Sequence, residues 1–202
     1  MILYALENSD KLYKAMYEHL FLVGSALSVS LLLAAVLTIF AMYSKILSSA
    51  LIHTFSVIYS IPSLALFALL IPVTGLGKET AIIVLVIYNQ YLLLRNFIAG
   101  LNGVDPSIIE AASGMGMTKM QILLRVRLSL SKRALITGVR LAIISTIGIA
   151  TIAASINAGG LGSILFDGLR TMNVYKILWG SILAGGLSIF ANSLLSKIEQ
   201  VL

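Results

Sequence analysis

Between Leu20 and Tyr43 the chain carries no charged side chain. A helix needs about 20 apolar residues to cross the roughly 30 Å of hydrocarbon in a bilayer, and this run supplies them. Four more stretches meet the same demand, over about 50–71, 80–101, 134–157 and 177–196. Unpaired backbone groups are too costly in lipid, and the runs are too long for barrel strands, so each reads as a helix. The expected fold is an all-α membrane protein, one domain over 1–202 with five transmembrane helices. Composition agrees: 59% of the 202 residues are hydrophobic and 11% charged, against about 25% charged in soluble domains.

The net charge of +6 is read first as a topology signal rather than a nucleic-acid footprint. With five spans, Lys45, Arg95, Lys119, Arg125, Arg127, Lys132, Arg133, Arg140 and Lys197 share one side. Only Lys11, Lys14, Lys78, Arg170 and Lys176 lie on the other. The positive-inside rule makes the richer side cytoplasmic, with the N-terminus outside and the C-terminus inside. Arg95 and Arg140 lie near the cytoplasmic ends of their spans, where their heads can snorkel. Mixed charge at Glu7, Asp10, Lys11 and Lys14, before a long apolar run, does not read as a signal peptide.

Several chemistries are excluded. There is no Cys, so disulfide and thiol chemistry are absent. His19 and His53 lie near opposite membrane faces and do not suggest a metal site. No phosphate-binding GxxxxGK[ST] occurs, and no cofactor is expected on this chain. No Ser/His dyad or intramembrane carboxylate pair marks a membrane hydrolase. No span carries Asp or Glu near its middle, as a proton-coupled carrier usually does.

The cytoplasmic segment 102–133 is the informative interruption. Asp105 is a natural N-cap with Pro106 at the first helical position. Ile108, Ile109, Ala112 and Met115 then share one side at helical spacing, and Gly114 and Gly116 interrupt. Thr118 with Gln121 three residues later is a capping box opening a second helix. Ala111 and Ala112 keep the first helix thin beside Glu110, as suits a knob entering a groove on another protein. A basic amphipathic pair can equally lie in the lipid headgroups.

Polar groups within spans normally face a cavity or a partner helix. Asn89 and Gln90 in the third span are expected to line a route, with Tyr59, Ser60, Pro62 and Ser63 in the second and Ser145, Thr146 and Thr151 in the fourth. Pro62 should free a carbonyl and bend its helix. For Ser and Thr, back-bonding to their own helix is the commoner role. Amide oxygens and the faces of Tyr88, Tyr91 and Trp179 would suit a cationic solute. Outside, in the loop 157–173, Asn157, Gly159, Gly160 and Gly162 permit tight turns. Ile164, Leu165, Phe166 and Leu169 suit a short helix, and Asp167 and Arg170 at i,i+3 can pair.

"EAASGMG" resembles the EAA loop of ABC-importer permeases, on Glu110, Ala111, Ala112 and Gly116. "SIPSLALFALLIP", "GLGK", "LRNFIAGLNGVDPSIIEAASGMGMT" and "AASINAGGLGSIL" are similar to permeases of osmoprotectant importers for glycine betaine, carnitine and choline. The resemblance runs from about Tyr59 to Asp167. It implies the MetI-like transmembrane domain of type I importers, a multi-pass protein of the bacterial cell membrane that works as a homo- or heterodimer of permeases. It also implies a coupling helix seated in a cytoplasmic ABC ATPase dimer, and an external gate at 157–173 facing a substrate-binding protein. Alternative cargoes are methionine and ergothioneine; a membrane scaffold is the alternative from another class. Ser129 and Arg133 stand where relatives usually carry Pro, so the start of the fourth span is expected to be held less rigidly; Tyr91 stands where many carry Pro in the third span.

Overall fold

A computed structural model describes residues 2–201, and among them every regular element is helical. The chain opens with α1 (Ile2–Glu7) and α2 (Ser9–Ala41). At 1.5 Å per residue α2 is about 50 Å long, so it overhangs the hydrocarbon and carries its charged first turns, Asp10 to Glu18, beyond it. Next come α3 (Lys45–Tyr59), capped by the Ser44 hydroxyl accepting from the Leu47 N–H, and α4 (Ser63–Thr74). The rest are α5 (Lys78–Asn102), α6 (Pro106–Gly114), α7 (Lys119–Gln121), a π-helical Ile122–Arg127, α8 (Leu128–Leu130), α9 (Lys132–Ile152), a 3-10 turn Ala153–Ile156, α10 (Leu161–Arg170) and α11 (Val174–Val201).

The span predicted over 50–71 is broken rather than continuous: α3 and α4 meet at 98°. Pro62 offers no N–H and disfavours helical backbone at the residue before it. The carbonyl of Ile61 is left without a helical partner, and the Tyr88 hydroxyl donates to it at 2.6 Å. The break is therefore held from α5 as well as caused by proline. Among the described residues four helices are long and apolar enough to cross a membrane, and the bent pair makes a fifth if it counts as one span.

α5 is the axis of the molecule. In its most apolar stretch 61% of residues are buried, against 6% in α11. α2, α9, α3 and α4 pack around it. Leu22, Phe67, Val84 and Tyr88 fill one end of the core; Ala34, Leu93, Phe97 and Ala142 fill the other. Small residues, Ala26, Ala34, Ala142 and Ala150, recur at the contacts of α2 and α9. That matches helix association in lipid, which rests on close packing because apolar tails leave little hydrophobic drive. α11 has one buried residue, Gly180, and an apolar surface on all sides, as a lipid-facing helix should.

Candidate functional site

The segment between α5 and α9 is built by its caps. Asp105 Oδ1 accepts from the Ser107 N–H at 2.8 Å and Pro106 follows at the first helical position. That N–H holds the Asp105 carboxyl below its ordinary pKa. α6 then ends in a Schellman motif: Met117 N–H donates to Ala112 O at 3.2 Å and Gly116 N–H to Ser113 O at 2.9 Å. Gly116 sits at φ +79, where a side chain is strained. Gly114 lies within the helix, and a Cβ there would meet nothing within 4 Å. The break between the two helices thus belongs to Gly116 alone.

Thr118 restarts the chain with the capping box read from the sequence: its Oγ1 accepts from Gln121 N–H, and Gln121 Oε1 accepts from Thr118 N–H. Of α6 only Ala112 is buried; Glu110 and Ala111 are exposed. The missing prolines do not leave the start of α9 loose. Arg127 Nη1 donates to the Leu101 carbonyl at 2.6 Å, and Ser131 Oγ donates to that of Gly100 at 2.7 Å. Both ties satisfy carbonyls at the C-terminal end of α5, so α6 is carried on a fixed base.

Within the membrane the predicted pathway residues divide into two groups. Asn89, Gln90 and Thr146 are fully or almost fully buried. Asn89 Nδ2 donates to Ser30 Oγ at 3.2 Å, and Thr146 Oγ1 donates to Asn89 Oδ1 at 3.0 Å. Gln90 Nε2 donates to the carbonyls of Ser30 and Val86. These contacts form a polar knot tying α2, α5 and α9, and in this conformation the two amides present no face to a solute. Ser30 was missed because Ser25 and Ser28 sit in the same run and nothing in the sequence separates them. Thr151 back-bonds to Ile147 O at 3.0 Å, and Ser60 to Val57 O at 2.7 Å.

The second group gathers at the α3–α4 break. Ser60 and Pro62 are exposed there, and Tyr59 and Ser63 partly so. Tyr59 meets Tyr88 edge to face at 5.5 Å and tilts against Tyr91 at 4.9 Å. Arg95 Nη1 donates to the Tyr91 hydroxyl at 2.7 Å. The structure therefore brings Tyr59, Tyr88 and Tyr91 together beside the break. Trp179 is not with them; it lines a separate cavity with Leu6 and Tyr13.

The loop between α9 and α10 is tied down by a residue that nothing in the sequence singles out. Asn157, Gly159 and Gly160 all have positive φ. The Glu18 carboxylate, on the overhang of α2, accepts from Gly160 N–H at 3.1 Å. A Cβ on Gly162 would collide with the Thr151 carbonyl, so α10 starts hard against α9. The short helix expected near 164–169 is α10. Asp167 takes Lys176 at 2.6 Å as well as the foreseen Arg170 at 2.9 Å. These two cations, Lys176 first, hold its carboxyl below the ordinary range.

Residues 25–202 match the family described as binding-protein-dependent transport system inner membrane component. A carnitine transport permease protein of Listeria monocytogenes is 36% identical over 96% of this chain and 88% of its own. A choline transport system permease protein of Bacillus subtilis (strain 168) is 33% identical over the same shares, 96% and 88%. An ergothioneine transport permease/ergothioneine binding protein of Helicobacter pylori (strain G27) is 34% identical over 84% of this chain, which spans 31% of that longer protein. A methionine ABC transporter solved in an inward-facing conformation superposes with a TM-score of 0.85 at 20% identity, covering 96% of this chain and 97% of that one. These are transporter subunits, not enzymes, and they fix the helical architecture described above. By family and by fold, the chain belongs to the inner membrane components of binding-protein-dependent transport systems.

Proposed function

We propose that the chain is the permease subunit of an ATP-driven importer of quaternary-amine osmoprotectants, such as carnitine, choline and glycine betaine. The observation that carries this is α6: a small-residue helix with Glu110 and Ala111 exposed, closed by a Schellman turn and followed by a segment tied back to the end of α5 through Arg127 and Ser131. A knob that is exposed yet rigidly based transmits force rather than absorbing it. In this reading Glu110, Ala111, Gly116 and Thr118 form the surface gripped by a dimeric cytoplasmic ATPase, and buried Ala112 seats the helix beneath them. Gly114 has no steric duty there. Two permeases, identical or sister chains, enclose the route.

The route is assigned to the break between α3 and α4. There Tyr59, Ser60, Pro62 and Ser63 stand with Tyr88 and Tyr91, and aromatic faces attract a desolvated quaternary ammonium. Asn89, Gln90 and Thr146 act beside it as the fastening of the helices, and Thr151, back-bonded to Ile147, meets Gly162 through its backbone carbonyl. Asn157, Gly159, Gly160 and Gly162 form the gate under the binding protein. The cargo assignment rests on the relatives' names, with ergothioneine as the second reading on the strength of the Helicobacter relative.

The experiment is co-purification with the ATPase, followed by hydrolysis measured with binding protein and cargo added. Stimulation is expected; none would fit a scaffold instead. Titrating the cognate binding protein with betaine, carnitine, choline and ergothioneine settles the cargo.

A further inference from the structure

We propose that the permease binds an anionic phospholipid between the cytoplasmic end of α2 and the coupling segment. Its phosphate is held by Lys119 and Arg127, and an acyl chain lies in the groove beyond Leu123. Two cavities meet at Leu123. One, of about 350 Å³, is lined by Tyr43, Ser113, Lys119 and Arg127 among others. The second, of about 270 Å³, is lined by Ala35, Thr38, Ile39, Phe97 and Leu128 among others, and its accessible surface is wholly apolar.

Ala35, Thr38 and Ile39 on α2 and Met42 at its C-cap recur at spacings of three and four, so the cavities follow one face of that helix to its end. The order, read inward from the end of the uncharged run, is two cations, a tyrosine and a serine, then hydrocarbon. A phospholipid presents the same order. No carboxylate lines either cavity among the described residues. Arg127 makes both of its hydrogen bonds through Nη1, leaving the rest of its guanidinium edge for a phosphate.

Thr38 belongs to the apolar wall of the groove. It is 4% exposed, and its hydroxyl has no hydrogen-bond partner among the described residues. A buried hydroxyl left so is costly, and a helical Thr commonly avoids the cost by back-bonding. Thr38 lines the groove four residues from Met42, about 6 Å deeper along α2. Its hydroxyl has no accessible surface in the groove, so what Thr38 offers an acyl chain is its apolar surface. A free phosphate uses the cations and leaves the groove empty; a neutral lipid or a partner helix fills the groove and ignores the cations. The assignment to the cytoplasmic leaflet rests on the function proposed above; the site itself does not.

The test is native mass spectrometry of the assembled transporter in mild detergent, offered phosphatidylglycerol and phosphatidylcholine together. Phosphatidylglycerol should be retained preferentially, with about fivefold of preference per cation. Lys119→Glu should remove at least about fivefold of phosphatidylglycerol retention and leave phosphatidylcholine unchanged. Ala35→Phe, filling the groove, should lower both. Equal retention of the two lipids, or variants that behave like the parent, overturns the proposal. So does displacement of the lipid by millimolar inorganic phosphate, which would make the pocket an ion site. If Ala35→Phe fails to assemble, the surface change at Lys119 decides. Retention is read without ATP, binding protein or cargo, so it fails or succeeds separately from the transport reading.

Discussion

Gly116 and Gly114 are two residues apart, yet they carry different duties. Gly116 occupies the left-handed position that closes α6, where a side chain costs about 1–2 kcal/mol. Gly116→Val should therefore misdirect the turn and weaken co-purification of the ATPase with membrane insertion unchanged. Gly114→Ala should assemble normally and stiffen α6, because its Cβ meets open space and Ala is the better helix former. If both variants lose the ATPase equally, the Schellman reading of this turn is wrong. Asn89→Leu is expected to lower the thermal stability of the detergent-solubilised chain by about 1 kcal/mol, the scale of an interhelical hydrogen bond in a membrane. Ser30 and Thr146 keep their back-bonds in that variant, which limits the loss.

At the scale of elements, the caps were legible and the contacts were not. Asp105, Pro106, Thr118 and Gln121 announce α6 and α7 because capping is local, set by side chains within three residues of each other. The Ser30–Asn89–Thr146 knot and the Glu18–Gly160 tie were not legible, since both join residues more than 50 positions apart. The same holds for the break at Pro62. The proline was visible, but the Tyr88 hydroxyl that holds Ile61 comes from another helix. Pro62→Ala alone should keep the bend, and Pro62→Ala with Tyr88→Phe should relax it. Spin labels on α3 and α4 of this Cys-free chain report the distance; straightening by the single change would remove Tyr88 from the account. The α10–α11 corner has a pH signature. The Asp167 carboxyl is depressed below its ordinary 3.8 by Lys176 and then Arg170. Its ties are complete above that value and vanish as pH falls through the lower folded value. Amide exchange at Asn173 to Lys176 should rise only in strong acid, and Asp167→Asn should raise it at neutral pH.

For the molecule as a whole, the charge asymmetry sets a testable orientation. Lys119 and Ser163 are both exposed, on opposite sides of the proposed membrane. Single cysteines placed there should react with an impermeant reagent on intact cells at position 163 and not at 119; the reverse result inverts the topology. α2 then has a consequence for both sides at once. It is one helix from Glu18, which holds the loop before α10, to Thr38 at the groove, with no proline between. Such a rod keeps its two ends in phase. One residue inserted between Glu18 and Ser30 would rotate the outer end by about 100° relative to the inner one. That would swing the carboxylate off Gly160 and leave the knot and groove untouched, uncoupling the far ends of the molecule by a single peptide unit.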